Sequence, residues 1–269
     1  MKIKIKNNLF FDTKKKPLLI AEISGNHGQN KKRFLDLILK SHENGADLIK
    51  IQTYEPKDIT LNSKLENFKI KKGEWKNQTL WKLYEGAHTP FAWHKEAFQL
   101  AKKFKKKIFS SPFSIRAVDL LERLGCPIYK IASFEITDYK LINYIASKKK
   151  PIILSTGMSS ILEIKNAIKI INKYHNKVSI LHCVSNYPTK INNINLSKIN
   201  HLKKIFPKFK VGLSDHTNGI ASSIVASQMN ISYIEKHYNI DNLKTADSSF
   251  SISPNQMKEL SEILNYLFI

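Results

Sequence analysis

Residues 107–131 read KIFSSPFSIRAVDLLERLGCPIYKI. The stretch opens on a short apolar run, Lys107–Ser110, that ends in polar residues. Ser114 then stands before Ile115 as a helix start, since its hydroxyl can accept a free N–H of the first turn. Val118, Leu120, Leu121 and Leu124 supply the apolar face that follows, and Ile128–Ile131 is a second short β-branched run. A strand with a polar end, an amphipathic helix and another strand make the unit that decides the fold, because it recurs along the chain.

Outward from this stretch, six more strands are predicted at Leu18–Ile23, Asp47–Gln52, Ile152–Ser155, Val178–His182, Lys210–Ser214 and Ile231–His237. Between them lie helical faces such as Phe34, Leu35, Ile38 and Leu39, or Ile161, Ile164, Ile168 and Ile171. Ala221, Ile224 and Val225 follow strand seven, and Leu260, Ile263, Leu264 and Leu267 close the chain behind a Ser253-Pro254 start. Eight strands alternating with helices over about 250 residues predict an α/β fold, a (β/α)8 TIM barrel. Residues 1–16 alternate apolar and charged and break at Asn7-Asn8, which predicts a short N-terminal β-hairpin ahead of a barrel domain at 17–269. The long excursion over 54–90 carries Trp75, Trp81, Tyr84 and His88 and reads as a lid or a substrate wall.

Composition removes several function classes. The chain has 269 residues, and 44 basic against 22 acidic side chains give +22. Hydrophobic residues at 42% are enough for a sizeable core. Two cysteines, Cys126 and Cys183, make no disulfide framework and point to a reducing compartment. No signal-peptide h-region and no membrane-length apolar run occur, so a cytoplasmic protein without membrane partners is expected. The positive charge is spread over solvated helix positions such as Lys102-Lys103, and no specific nucleic-acid motif accompanies it.

Barrel chemistry sits at the C-terminal strand ends. Lys50 and Gln52, two apart on a strand, share a face, and Lys130 ends strand four. With hydroxyls from Ser110, Ser133, Ser155, Ser185 and Ser214 they would form an oxyanion cradle suited to phosphate, although each serine alone is as readily a turn or cap. His216 and His237 end neighbouring strands and can reach one metal ion; two histidines with water and substrate oxygens suit a six-coordinate, Mn2+-like ion better than structural zinc. Asp215 and Glu235 are candidate orienters of that pair. Glu22 is the one carboxylate in an otherwise cationic mouth, either salt-bridged to Lys50 or Lys130 or acting on a polyol as acceptor or acid/base. Asp247 could hold a further sugar group, and Cys183 reads as packing.

Taken together, Ala21-Glu22-Ile23-Ser24 with Asn26-His27, Lys50-Ile51-Gln52-Thr53, Tyr129-Lys130-Ile131-Ala132-Ser133, Ser155-Thr156-Gly157-Met158, Ser214-Asp215-His216-Thr217 and Glu235-Lys236-His237 resemble the N-acetylneuraminate synthase family over roughly residues 17–265. Leu83–Pro90 and Lys130–Asp138 resemble the pseudaminic acid synthases within it. The resemblance implies condensation of phosphoenolpyruvate with the open-chain aldehyde of an N-acetylated amino sugar. The favoured acceptor is 2,4-diacetamido-2,4,6-trideoxy-L-altrose, with N-acetylneuraminate or legionaminate synthesis as the alternative. It assigns Lys50, Gln52, Ser110, Lys130, Ser133, Ser155, Ser185 and Ser214 to phosphoenolpyruvate. His216 and His237 go to Mn2+ (with Mg2+ or Co2+ as other divalent ions), and Glu22, Tyr187 and Asp247 to the sugar, with Glu22, His216 and His237 catalytic. Departures are Gly28 where the family carries Asn, a changed segment at Lys244-Thr245-Ala246, and no C-terminal antifreeze-like domain. The resemblance further implies a homodimer; for the cap, three readings stay open: a separate protein supplies it, the site stays open, or sugar selectivity is altered. A non-catalytic barrel remnant and a basic nucleic-acid binder are the remaining readings.

Overall fold

The structure is a computed structural model that describes residues 16–268, together with the backbone of Lys4–Ile5 and Asn8–Leu9. Those two short segments pair antiparallel, Lys4 opposite Leu9 and Ile5 opposite Asn8, as a hairpin requires; the remainder of the N-terminal sixteen residues, apart from Lys16, lies outside the described residues. Eight parallel strands follow: β1 (Leu18–Glu22), β2 (Leu48–Thr53), β3 (Lys107–Pro112), β4 (Tyr129–Ile131), β5 (Ile152–Ser155), β6 (Val178–Cys183), β7 (Lys210–Asp215) and β8 (Tyr233–His237). Each pairs with the next and β8 returns to β1, so the sheet closes into a barrel with no free edge. All eight predicted strands are present, with no end shifted by more than two residues.

The helices start where the sequence offers capping groups. Ser114 accepts from the Ala117 N–H ahead of the helix Ile115–Arg123. Reciprocal side-chain and backbone bonds join Ser160 to Glu163, and Ser253 to Gln256, ahead of the helices Ile161–Ile171 and Pro254–Leu267. Their apolar faces cover the outside of the barrel, so strands buried on both faces read as near-continuous hydrophobic runs.

Register decides which residues face the lumen. Glu22 pairs with Lys50 and His237, Gln52 with Ser111, Lys130 with Ile153, and Ser214 with Glu235. The Lys130–Glu235 ion pair spans the barrel from β4 to β8 and fixes this set as the inward one. Ile51, Thr53 and Ser110 belong to the opposite parity and face the helices.

The 54–90 excursion is partly helical, at Pro56–Ile59 and Leu80–Ala87. Trp75 donates its indole N–H to the Ala246 carbonyl at 2.7 Å, which ties the excursion to the loop after β8 across the mouth. His94 sits on the next helix, Phe91–Lys103, with Nε2 2.8 Å from the Thr53 hydroxyl and Nδ1 3.2 Å from the Pro90 carbonyl.

Two outcomes follow from this packing. A Cβ on Gly212 in β7 would lie 2.6 Å from a Leu181 methyl and 2.7 Å from the Tyr233 carbonyl oxygen. Gly212→Ala should therefore cost about 1–3 kcal/mol and lower the melting temperature by several degrees; an unchanged melting curve would contradict the tight lumen. Burial holds His27 and His94 neutral, each brought down from 6.5 to about 4, and His175 likewise, with burial ahead of the Lys177 charge. The unfolded chain takes up these protons near 6.5 and the folded chain only near 4, so stability is retained above that window and falls as pH drops through it. Glu135, pushed up to about 8 by burial, and Glu22, also raised by burial, oppose this as two groups against three. Urea midpoints at pH 7 and pH 4.5 should show the loss, and equal midpoints would contradict it.

Candidate active site

Four charged side chains meet in the lumen at the C-terminal ends of β1, β2, β4 and β8. Lys50 Nζ lies 2.8 Å from Glu22 Oε2 and 3.6 Å from Glu235 Oε1. Lys130 Nζ donates to both Glu235 oxygens, at 2.9 and 2.8 Å. All four are buried, Glu22 completely. Burial alone would push the Glu235 carboxyl up, but Lys130 and Lys50 outweigh it and hold the group well below the usual carboxylate range. Glu22 goes the other way: burial, reinforced by the Glu235 charge, raises it against the pull of Lys50. The mouth is thus charge-balanced, two ammonium groups against two carboxylates, and Glu22 is not its single acid. Sequence reading missed Glu235 as a lumen residue, although its place one residue before Lys236 and two before His237 carried that parity.

Around the lysines stand hydroxyls. Ser214 donates to Glu235 at 3.0 Å. The Ser155 hydroxyl is buried with no hydrogen-bond partner, and Ser133 accepts from the Gly157 N–H at 3.0 Å. Gly157 is required here, since a Cβ would fall 2.1 Å from the Ser185 hydroxyl, 2.9 Å from that of Ser133 and 3.2 Å from the Cys183 sulfur. Gln52 donates to Glu22 at 3.1 Å, sharing the inward face with Lys50 as its spacing demanded.

Ser110 does not join this group. Its hydroxyl donates to the Ile51 carbonyl at 3.0 Å and lies 2.6 Å from the Thr53 hydroxyl, on the helix-facing side. Ser111 takes its place, 3.5 Å from Lys50 Nζ. Alternation along β3 explains the correction: Ser111 pairs with inward Gln52, Ser110 with outward Ile51. Asp215 also faces outward and holds the Thr217 backbone and hydroxyl, the Ser223 hydroxyl and Lys236; it orients no histidine.

Next to the anionic end lie the histidines. The ring centroids of His216 and His237 are 5.3 Å apart. Two imidazoles sharing one ion, each about 2.1 Å away, place their centroids roughly 5 Å apart, so the pair fits. With Nδ1 of His216 donating to the Val184 carbonyl at 3.0 Å, Nε2 is left to serve as a ligand. His237 Nδ1 is buried without a hydrogen-bond partner, 3.7 Å from Asp247. Among the described residues no group of three or more His, Cys, Asp or Glu side chains forms a metal-holding cluster; two nitrogens leave the other positions of a six-coordinate ion to water and substrate oxygens. Cys183, read as packing, lies in this wall 3.9 Å from His216 Nδ1. Burial would raise its thiol, yet His216 and Lys130 bring it to about 7.

Tyr187 packs at a tilt against His216 with centroids 4.5 Å apart, and Phe250 and Trp75 pack on Tyr187 at 5.1 and 5.7 Å. Asp247 accepts from the Gly25 N–H at 3.0 Å, which fastens the loop after β8 to the loop after β1. Asn26 strengthens that clamp by donating to the Tyr238 carbonyl and to Ser251. Gly28 has φ +55, a left-handed conformation that Gly adopts freely and Asn tolerates.

The NeuB family model matches residues 37–267. Over 250 residues the chain is 44% identical to the pseudaminic acid synthase of Helicobacter pylori, covering 92% of this chain and 73% of that protein. It is 36% identical over 251 residues to the N,N'-diacetyllegionaminic acid synthase of Campylobacter jejuni, covering 91% and 75%. The crystal structure of N-acetylneuraminic acid synthetase from Leptospira borgpetersenii superposes with a TM-score of 0.89 at 27% identity, covering 100% of this chain and 89% of that one. Membership on this footing supports a divalent metal requirement. With a closed eight-stranded barrel, a family match over most of its length and a relative 44% identical along nearly all of it, the chain belongs to the NeuB family.

Proposed function

We propose that the chain is a pseudaminic acid synthase: it condenses phosphoenolpyruvate, 2,4-diacetamido-2,4,6-trideoxy-L-altrose and water to pseudaminic acid and phosphate. The observation that carries this reading is the juxtaposition of two buried lysines, ringed by hydroxyls, with a histidine pair spaced for one metal ion. The 44% identity to a pseudaminic acid synthase, against 36% to a legionaminic one, supports the choice of acceptor.

In this reaction the methylene carbon of phosphoenolpyruvate bonds to the aldehyde carbon, water adds at the former enol carbon, and phosphate leaves with its bridging oxygen. Lys50, Lys130, Gln52, Ser133, Ser155, Ser185 and Ser214 hold phosphoenolpyruvate, and Ser111 acts where Ser110 was expected. The free Ser155 hydroxyl and the two ammonium groups match phosphate oxygens through charge-assisted hydrogen bonds. His216 and His237 would hold a divalent ion, Mn2+ in this reading, which when bound polarises the aldehyde. The aldehyde oxygen gains a proton and the attacking water loses one. Glu22, buried between Lys50, Gln52 and the β8 end, with its carboxyl raised, is the group placed to carry that proton. Tyr187 and Asp247 line the sugar side beside the histidines.

Phosphate release should require both Mn2+ and an N-acetylated acceptor, with the diacetamido altrose preferred over N-acetylmannosamine. A well-folded protein that releases no phosphate with any of the pseudaminate, legionaminate and N-acetylneuraminate precursors would refute the synthase reading. Gly157→Ala should raise the KM for phosphoenolpyruvate by at least about tenfold, one misplaced contact being worth about 1.4 kcal/mol or more, with the acceptor KM little changed. An unaltered phosphoenolpyruvate KM would contradict the cradle.

A further inference from the structure

Glu135 ends the short turn Ser133–Glu135 after β4, two residues past a serine of the anion cradle. Its Oε2 is sealed from solvent and has no hydrogen-bond partner. Such an atom costs about 1–3 kcal/mol, which makes it a marker for a missing partner. The same side chain lines a cavity of about 250 Å³ with Asp58, Ile59, Phe113, Phe134 and Asp138, between the turns that follow β2, β3 and β4. Ligand sites usually span roughly 300–1,000 Å³, so this cavity suits a substituent and not a whole sugar.

Tyr54, packed against the cavity's Phe113, feels the charges of Asp247 and Glu22 in the mouth. Tyr54 stands edge-on to Phe113 at 5.1 Å and to Tyr84 at 5.9 Å, and the charge of Glu135 is felt at Tyr84. Two of its three acids are already engaged: Asp138 accepts from the Leu141 N–H at 2.9 Å, and Asp58 pairs with Arg116 at 3.1 Å. Glu135 is the third. Phe134 is 60% exposed at the rim, an aromatic face open to a small apolar group. Burial, ahead of the charge of Asp138, pushes the Glu135 carboxyl up to about 8 against the pull of Lys50 and its own backbone N–H. At neutral pH it is therefore an uncharged acid, able to donate its O–H.

We propose that this cavity is the subsite for the second acetamido group of the acceptor: Glu135 donates to the amide carbonyl while Phe113 and Phe134 pack on the acetyl methyl. The proposal rests on the synthase reading and supplies its acceptor selectivity, since a sugar with a hydroxyl at that position fills neither the hydrogen bond nor the aromatic wall.

Steady-state phosphate release by wild type, Glu135→Gln and Glu135→Leu tests it. The Leu variant should raise the KM for the diacetamido sugar by about 10- to 100-fold, the value of a lost buried hydrogen bond, with the phosphoenolpyruvate KM unchanged. The Gln variant, whose amide N–H replaces the acid O–H, should stay within about threefold of wild type. The wild-type acceptor KM should rise as pH passes 8, and that of the Gln variant should not. Equal acceptor KM in all three proteins, or a parallel rise in the phosphoenolpyruvate KM, would overturn the subsite. Calorimetric titration of the diacetamido sugar and of N-acetylmannosamine into metal-free, phosphoenolpyruvate-saturated protein reads the subsite without turnover. Selective binding of the diacetamido sugar that Glu135→Leu abolishes, in a protein that releases no phosphate, would uphold the subsite while refuting the synthase reading; binding of both sugars alike would overturn the subsite.

Discussion

Everything at the mouth of this barrel depends on the buried chain of charge Glu22–Lys50–Glu235–Lys130. Four ionised groups taken out of water would be costly in isolation, and they are tolerated because each carboxylate meets an ammonium at about hydrogen-bond distance. The arrangement also stores function. Glu235 occupies the lysines in the folded chain, so the two ammonium groups are already held in place. Removing one partner leaves an uncompensated charge, which is worth about 3–5 kcal/mol in buried pairs. Glu235 is thus as necessary to the arrangement of the two ammonium groups as the lysines themselves.

Barrel geometry lets these groups meet. The lumen-facing residues of β1, β2, β4, β7 and β8 are set by register, and a one-residue slip would turn Lys50 or Ser214 toward the helices. The same rule puts Lys236 and Asp215 outside, where they brace the β7 loop and leave His216 and His237 to face the lumen. The excursion between β2 and β3 closes one side, with Trp75 over Tyr187 and Phe250.

Much of this was legible in the chain. The repeat of short strand and amphipathic helix identified the barrel, and side-chain parity identified Lys50 with Gln52. Periodicity alone could not choose between Ser110 and Ser111, because a strand end of two serines presents a hydroxyl to either face and only the pairing with β2 decides. Glu235 shares the parity of His237, but its pairing with Lys130 appears only when β4 and β8 are brought across from each other, a contact between residues 105 positions apart. Glu135 carries no motif of its own. Its significance lies in a sealed oxygen and a cavity, which are properties of packing and not of sequence spacing.

The central claim is that the Lys50–Lys130 cradle is the phosphoenolpyruvate site, and calorimetric titration of phosphoenolpyruvate alone tests it most directly. Wild type should show saturable binding, and Lys130→Met, confirmed folded by its circular dichroism, should bind at least about 100-fold more weakly, as expected when a buried charged contact worth about 3 kcal/mol is lost. Equal affinity in the two folded proteins would contradict the account.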